Sequence, residues 1–360
     1  MKPNVVRSNL ICAIVAGLAC ILGMHALAAM AQNAGSSTPP KPRKIIDYGG
    51  GGWKDFQVEE PCILVNPKDT NKLIMFYSGV KLGGPVCHGK AWADVSDPFT
   101  WHEDANNPFF GGDPKIAPEG SIRLDSVIYN EALDEYWIYY TGADSRSQAV
   151  INLATCPAGK DGFSEVVTAN IKRFKDNPIL TPNGQERDDG NCVSEGAVFR
   201  ENGVWYLFYS YRSETKILPG IRLAISTDGK HWAKVSGPDI LSAAPEQKYI
   251  EWHQVYKLGD RYLLLYEGYN GGTRWGADVA TSSSLTGDWK KAPVNLFDQA
   301  KWPNYSDETM FHVATPAIYN FNNKWYMYFQ AAPSGEYINQ HWALWGIECD
   351  DVVKKLIPLD

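Results

Sequence analysis

The sequence predicts an all-β protein that folds as a five-bladed β-propeller, with four antiparallel strands in each blade. After residue 45, short runs of valine, isoleucine and aromatic residues alternate with glycine, asparagine, aspartate and proline, and helical periodicity is scarce. One hairpin pattern then recurs five times in a single register. Because five copies share that register, we favour a propeller over a β-sandwich whose hairpins are alike by chance.

The N-terminal segment has the pattern of a signal peptide. Lys2 and Arg7 give a positive start, residues 10–22 form an apolar stretch, and Ala29-Met30-Ala31 is a small-residue cleavage pattern. We therefore expect a cleaved signal peptide at residues 1–31 and a periplasmic or secreted protein without stable membrane insertion. A retained anchor and a lipoprotein are the less favoured alternatives.

The mature chain is predicted to begin with a flexible lead-in. Residues 32–44 are rich in serine, threonine and proline, and residues 45–360 are assigned to the propeller as one catalytic domain. The formal charge of −7 for the full chain argues against a nucleic-acid partner, and we expect a monomer. Five cysteines follow the signal peptide, and this odd number predicts at least one thiol without a partner in the same chain.

Each copy of the repeat starts with a leading residue and an apolar strand, turns, and returns through an aromatic strand. The leading residues are Glu60, Asp125, Glu195, Trp252 and Thr315, which lie 65, 70, 57 and 63 positions apart. A third β run follows, and then a polar turn closed by an aromatic residue. These segments supply four strands for each of five blades.

The third copy shows the pattern most clearly. Asn202-Gly203 is a strong signal for a tight hairpin between two β-prone runs. Glu195 is the only charged residue between Gly190 and Arg200, so burial would raise its pKa and suit it to general acid catalysis near neutral pH. A glutamate that makes an ordinary hydrogen bond at a hairpin edge is the alternative.

In a propeller, the first strand of each blade lines the central channel, so residues far apart in sequence become neighbours. Glu60, Asp125 and Glu195 lead three consecutive blades and are therefore expected to meet at the axis. Neighbouring buried carboxyl groups push their pKa values apart, which supplies the proton donor and the ionised base that glycoside hydrolysis needs. Acids at a solvated channel mouth, holding a cation, are the alternative.

These motifs resemble glycoside hydrolase family 43 and its five-bladed relatives, the arabinanases, β-xylosidases, levansucrases and invertases. Ser194-Glu195-Gly196-Ala197 resembles the family's general-acid strand, residues 124–129 resemble the strand whose Asp tunes the acid, and Glu60-Pro61 stands where the family carries Asp-Pro. The resemblance implies a secreted glycosidase that inverts the anomeric centre. It implies Glu195 as the acid, Glu60 as the base, and Asp125 as the residue that keeps the acid protonated and holds sugar hydroxyls.

The acid in blade one departs from the family pattern, because glutamate is one methylene longer than aspartate. Glu59 or Asp55 is therefore an alternative base. A sibling family with a histidine acid, such as the neoagarobiose hydrolases, is an alternative to family 43 itself.

Members of the family often place a histidine on a central cation or water at the blade-five position, where this chain has Thr315. The resemblance makes His312 or His253 the candidate for that role. His312 is the candidate metal ligand, and a structural calcium on the axis is the candidate ion. We expect no cofactor to be required, and an ordinary structural role is the alternative for each histidine.

Carbohydrate is the expected partner of this chain. Five residues are candidate contacts for it: Arg123, Trp252, His253, Arg212 and Arg274. A glycan-binding propeller without catalysis stays open as an alternative function. A phosphorolytic or transferase relative is another, for which Arg123, His253 and Arg274 are the candidate anion site.

Overall fold

The computed structural model describes residues 41–113, 115–116, 120–143, 149–183, 190, 192–212, 220–244, 247–270, 274–292, 310–333, 341–350 and 353–354. The predicted signal peptide and most of the predicted lead-in lie outside these ranges. The first described strand starts at Arg43, two residues before the boundary drawn from the sequence at residue 45. Within the described ranges, no helix has the length and apolar character needed to cross a membrane.

The described residues form 22 β-strands, and a short 3₁₀ helix spans Thr168–Asn170. In chain order the strands are β1 (Arg43–Ile46), β2 (Gln57–Val65), β3 (Lys72–Val80), β4 (Val86–Asp94), β5 (Asp97–Glu103), β6 (Phe110–Gly111), β7 (Ser121–Asn130), β8 (Glu135–Ala143), β9 (Ala149–Pro157), β10 (Lys172–Arg173), β11 (Cys192–Glu201), β12 (Val204–Arg212), β13 (Gly220–Ser226), β14 (Ala233–Lys234), β15 (Leu241–Ser242), β16 (Gln247–Leu258), β17 (Arg261–Asn270), β18 (Arg274–Ser282), β19 (Lys290–Lys291), β20 (Met310–Phe321), β21 (Lys324–Pro333) and β22 (Ala343–Glu348).

Five segments of the chain each fold as an antiparallel meander. They contain β2–β5, β7–β10, β11–β14, β16–β19, and β20–β22 together with β1, and we number them meanders 1 to 5. A parallel contact of Cys192 with Ala149 joins meanders 2 and 3 into one sheet, while β6 and β15 add to β4 and β13. The five meanders coincide with the five sequence repeats.

The N-terminal strand completes meander 5. β1 pairs antiparallel with β22, with Arg43 opposite Gly346 and Ile46 opposite Leu344. Ile46 is buried in the core of the protein. The first described strand and the last described strand are therefore hydrogen-bonded to each other.

The first strands of the five meanders contact one another in cyclic order. β2 contacts β7, β7 contacts β11, β11 contacts β16, β16 contacts β20, and β20 contacts β2. Every leading residue identified in the sequence lies within the first strand of its meander. Positions that are distant in sequence therefore share one neighbourhood at the centre of these strands.

The hairpin predicted at Asn202-Gly203 is confirmed. Glu201 pairs with Val204, which leaves a two-residue loop between β11 and β12. Asn202 and Gly203 have φ values of +50° and +81°. Positive φ at both positions is the requirement of the tight turn that matches strand twist, and Asn-Gly meets it at low cost.

Aromatic side chains fill the spaces between neighbouring meanders. Phe76 of β3 meets Phe109 and Tyr136 edge to face, at ring-centroid distances of 5.6 and 5.4 Å. Trp137 of β8 stacks on Trp205 of β12 at 5.4 Å. All five side chains are buried, and each such pair contributes about 0.5–1.5 kcal/mol beyond the area it buries. Aromatic residues are therefore a structural requirement of this fold.

The cysteines of the described residues form no disulfide. None of Cys62, Cys87, Cys156, Cys192 and Cys349 is part of a disulfide. Burial raises the pKa of Cys62 and of Cys156 to about 11, which keeps both as unreactive thiols at neutral pH.

Candidate active site

A cavity of about 340 Å³ opens among the first strands of the meanders. Five carboxyl groups line it, together with one guanidinium group, and aromatic rings of tryptophan and phenylalanine complete the wall. The charged lining residues are Glu59, Glu60, Glu195, Glu251, Glu267 and Arg123. Among the described lining residues Arg123 is the only cation, so the cavity is strongly acidic.

Four of the five leading residues reach this cavity, as the repeat predicts. Glu60, Glu195, Trp252 and Thr315 line it. Asp125 is not among the lining residues, and its side chain is buried. The structure therefore brings Glu60 and Glu195 to one space, and it leaves Asp125 outside the cavity lining.

A break in strand register positions each leading residue. The pairing of every first strand with its neighbour shifts at the leading residue, as a β-bulge does. Four leading residues also have left-handed backbone, with φ of +62° at Glu60, +57° at Glu195, +33° at Trp252 and +47° at Thr315. Non-glycine residues rarely adopt this conformation, and such strained positions cluster at functional sites.

Hydrogen bonds connect each meander to the next at the level of the bulges. In each bond, a side-chain oxygen of one meander accepts a backbone N–H at or beside the leading residue of the following meander. The bonds are Gln330 Oε1 with Glu60 N (3.2 Å), Glu60 Oε2 with Leu124 N (3.2 Å), Thr141 Oγ1 with Glu195 N (2.8 Å), Glu195 Oε2 with Trp252 N (2.9 Å) and Glu267 Oε2 with Thr315 N (2.7 Å). We call these five bonds the junction bonds.

Glu60 is 2% exposed and is held from several sides. Arg123 Nη1 donates to its Oε1 at 2.7 Å and to Glu59 Oε2 at 2.8 Å, and the Ser78 hydroxyl donates to Glu60 Oε2. Burial raises the pKa of Glu60 to about 7, with a further rise from Glu59 that Arg123 and Ser78 oppose. Glu60 therefore changes its protonation state near neutral pH.

Ser78 connects Glu60 to a buried histidine. The Ser78 hydroxyl lies 3.0 Å from Nδ1 of His88, which has no exposed surface. Burial, with the charge of Arg123, lowers the pKa of His88 to about 3, so its ring is neutral. Because the Ser78 hydroxyl donates its one proton to Glu60, Nδ1 of His88 is assigned as the protonated nitrogen that donates to Ser78.

Asp125 acts on Glu195 through a shared hydroxyl group. Thr141 Oγ1 lies 2.9 Å from both carboxyl oxygens of Asp125, and the same oxygen accepts the N–H of Glu195. The N–H of Gly196 also bonds to Asp125. Burial, and then the carboxyl groups of Glu195 and Glu60, raise the pKa of Asp125 well above its ordinary value. Asp125 therefore fixes the backbone that carries Glu195.

Sequence reasoning missed two acids of meander 4, Glu251 and Glu267, which are 5% and 7% exposed. Glu251 directly precedes the leading residue Trp252. Glu267 follows Tyr266 in the second strand, at the place where the other copies carry serine, threonine or glutamine. Alignment of the five repeats thus shows an acid in the fourth copy where the other copies have a neutral residue, and this signal for Glu267 was present in the sequence.

The predicted sugar contacts separate into three groups. Arg123 and Trp252 line the cavity, as expected of contacts. His253 does not line it: its Nε2 lies 2.7 Å from the carbonyl oxygen of Phe208, and burial lowers its pKa to about 4. Trp252 stands at the bulge and lines the cavity together with the preceding Glu251, whereas His253 resumes regular pairing opposite Tyr266 and contacts the second strand of meander 3. The side chains of Arg212 and Arg274 lie outside the described residues.

His312 and Asp55 also lie away from the cavity lining. His312 is buried and accepts the N–H of Trp275 on Nδ1 at 3.2 Å. Among the described residues, no group of three or more histidine, cysteine, aspartate or glutamate side chains has the arrangement of a metal site. The alternative base Glu59 does line the cavity, and it shares Arg123 with Glu60.

No protein-family model matches the chain. Two curated proteins of Thermoanaerobacter sp. (strain X514) match part of it. A 1,2-beta-oligomannan phosphorylase is 27% identical over 143 residues, covering 36% of this chain and 47% of that protein. A beta-1,2-mannobiose phosphorylase is 25% identical over 118 residues, covering 29% and 39%. The matched part of the chain thus spans less than half the length of these relatives.

Solved structures match nearly the whole described fold. The catalytic domain of a GH62 alpha-L-arabinofuranosidase from Coprinopsis cinerea superposes with a TM-score of 0.62 and 14% identity, covering 87% of this chain and 97% of that one. The chain has the fold of glycoside hydrolases. A thermostable family-43 glycoside hydrolase gives a TM-score of 0.55 at 13% identity, covering 82% and 91%. The resemblance to family 43 and its relatives is therefore confirmed at the level of the fold.

Proposed function

We propose that the chain is an exported glycoside hydrolase whose active site is the acidic cavity among the five first strands. The observation that carries the proposal is that Glu60 and Glu195, which lead two separate meanders, line the same cavity. Glycoside hydrolysis uses a pair of carboxyl groups that flank one glycosidic bond. The fold shared with known glycoside hydrolases supports the same conclusion.

We further propose that the five meanders close into a five-bladed β-propeller. The cyclic contacts of the first strands support closure, because β20 returns to β2. The five junction bonds support it independently, since each joins one meander to the next. Pairing of β1 with β22 would then complete the last blade with the start of the folded chain.

In the proposed reaction, Glu195 donates a proton to the glycosidic oxygen as the bond from that oxygen to the anomeric carbon breaks. A water molecule attacks the same carbon from the opposite face, and Glu60 accepts a proton from it. The leaving sugar keeps the proton of Glu195, and the attacking water becomes the new anomeric hydroxyl group. Such a single displacement inverts the configuration of the anomeric carbon.

The surroundings of the two carboxyl groups support these roles. Arg123 and Ser78 both stabilise the ionised form of Glu60, which a general base must have. Glu195 is tied at its own N–H to Thr141 and at one carboxyl oxygen to the N–H of Trp252. These bonds hold the acid in one orientation, and positioning of this kind supplies a large part of enzymatic rate enhancement.

Glutamine replacements test this assignment. We expect Glu195→Gln and Glu60→Gln each to lower kcat by about 10²–10⁴-fold on the polysaccharide that the wild type cleaves, because each removes one proton transfer. Glu131→Gln, in an exposed turn, is the matched control. Activity would be measured on a panel of plant and algal polysaccharides, and NMR would follow the first anomer formed. Near-normal turnover by either cavity variant would remove that residue from its role.

A phosphorylase is the second candidate, and the matches to two mannoside phosphorylases favour it. Phosphorolysis needs an anion site beside the acids. Arg123 is the only cation among the described lining residues, and Glu59 and Glu60 already engage it. We therefore expect cleavage to proceed in phosphate-free buffer. Cleavage that requires inorganic phosphate and releases a sugar phosphate would decide for the second candidate.

Export and assembly are also part of the proposal. The pattern of residues 1–31 supports cleavage before residue 32 and release to the periplasm or the medium. A monomer is proposed, with the carbohydrate as its partner.

A further inference from the structure

Glu267 stands at a position where the other meanders have a neutral side chain. It lies in β17, the second strand of meander 4, directly after an aromatic residue. The second strands of the other meanders carry Ser78, Thr141, Ser210 and Gln330 directly after their own tyrosine or phenylalanine. The repeat therefore uses a hydroxyl or an amide where meander 4 uses a carboxyl group.

The junction bond made at this position does not require a carboxyl group. Glu267 accepts the N–H of Thr315, as Thr141 accepts that of Glu195 and Gln330 accepts that of Glu60. A hydroxyl or amide oxygen thus makes the same junction bond in two other meanders. Burying a carboxyl group where a neutral group suffices costs free energy, so packing gives no reason for this glutamate.

The position of Glu267 at the cavity gives a reason for a carboxyl group there. Glu267 lines the same space as Glu60 and Glu195 although only 7% of it is exposed. One of its oxygens, Oε2, is engaged by the N–H of Thr315 at 2.7 Å. The second oxygen of the carboxyl group is then available to the cavity, and in the protonated form it is a hydrogen-bond donor. Serine and threonine have shorter side chains, so their hydroxyl groups would not extend as far into the cavity.

The charged groups around Glu267 favour its protonated form. Burial raises its pKa well above the ordinary value, and the carboxyl groups of Glu195, Glu251 and Glu60 raise it further, in that order. The N–H of Thr315 lowers the pKa, by less than burial, Glu195 or Glu251 raises it. Burial and the neighbouring carboxyl groups thus favour the protonated form of Glu267, in which one carboxyl oxygen is a hydrogen-bond donor.

We propose that Glu267 contacts the bound carbohydrate and donates a hydrogen bond from its carboxyl group to a sugar oxygen, while its other oxygen holds Thr315. The inference rests on the proposed function, because it assigns a binding residue within the same cavity. Glu267 transfers no proton to the substrate in this role. Its contribution is to bind and orient a hydroxyl or ring oxygen of the sugar.

Two replacements separate this role from a structural one. Glu267→Thr installs the residue whose hydroxyl makes this junction bond in meander 2, and we expect it to raise KM by about 5- to 150-fold, since a lost hydrogen bond in a buried site costs about 1–3 kcal/mol. Glu267→Gln keeps an acceptor for Thr315 and a donor for the sugar, so it should raise KM by a smaller factor than Glu267→Thr. In wild type KM should rise at high pH as Glu267 ionises, and in Glu267→Gln that rise should be absent.

A measurement without substrate completes the test. The infrared difference spectrum between wild type and Glu267→Gln at pH 7 should contain the carbonyl band of a protonated carboxylic acid. Absence of that band would overturn this inference alone, and so would an unchanged KM in Glu267→Thr or a collapse of kcat in Glu267→Gln. A wild-type protein that neither cleaves nor binds any polysaccharide of the panel would overturn the proposed function and this inference together.

Discussion

Burial and charge oppose each other at Glu60. Removal from water raises its pKa, and the negative Glu59 adds to the rise, whereas Arg123 and Ser78 lower it, which leaves a pKa of about 7. As the proposed general base, Glu60 would act only when ionised, so activity should grow as pH rises through that value. At this scale, the proposal predicts that single side chains around Glu60 set the acid limb of the pH profile.

Replacing two neighbours of Glu60 should shift the pH profile of kcat/KM in opposite directions. Arg123→Met removes a positive charge, so the pKa of Glu60 should rise by about 1–3 units and the acid limb of kcat/KM should move to higher pH. Glu59→Gln removes a negative charge, so that limb should move to lower pH. Profiles of kcat/KM against pH would measure both. Two shifts in the same direction would contradict Glu60 as the base.

Bulges and junction bonds decide which residues of a strand reach the cavity. Each first strand departs from regular pairing at its leading residue, and a side chain of the preceding meander then holds a backbone N–H at or next to that point. Thr141 does this for Glu195 while its hydroxyl also lies against both oxygens of Asp125. The bulged strand and its junction bond together therefore orient the carboxyl group of Glu195.

Thr141→Val should lower kcat by about 10–100-fold, because a displaced acid loses its alignment with the glycosidic oxygen. It should also lower the free energy of unfolding by about 1–3 kcal/mol, since the N–H of Glu195 loses its partner and the buried Asp125 loses one of its partners. Thr141→Ser keeps the hydroxyl group and is the matched control. Turnover and denaturant unfolding would be measured for both. Equal turnover in the two variants would show that the shared hydroxyl does not position the acid.

At the scale of the whole molecule, β1 joins the start of the folded chain to β22. The pairing fills the outer edge of meander 5 and buries Ile46. A strand that closes a sheet in this way protects an edge that would otherwise be unpaired. Stability of the whole fold should therefore depend on a short segment far from the cavity.

A chain that starts at residue 47 should unfold at a lower temperature than a chain that starts at residue 41. It lacks β1 and the buried side chain of Ile46, and loss of a buried isoleucine alone costs about 2–5 kcal/mol. Thermal unfolding followed by circular dichroism would compare the two chains. Equal midpoints would mean that β1 adds nothing to closure.

Much of the arrangement could be predicted because it depends on local patterns. The period of the repeat identified the strands that come first, and with them Trp252 as a leading residue, which lines the cavity. Its neighbour His253 was also predicted as a contact, but it is buried against the carbonyl oxygen of Phe208. Glu267 lies in a second strand and not at the head of its repeat, so the pattern of leading residues does not reveal it, although its position after an aromatic residue is visible in the sequence.

The sequence by itself determined the all-β class, the five repeats, the Asn202-Gly203 hairpin and the identity of the leading acids, because these follow from periodicity and turn chemistry. Only the tertiary structure decided that Asp125 is buried outside the cavity lining, that Glu267 is part of that lining, and that Arg123 bridges Glu59 and Glu60. The physical reason is that depth, ion pairing and pKa depend on which strands become neighbours. That choice is made by packing between meanders, which no pattern within one repeat encodes.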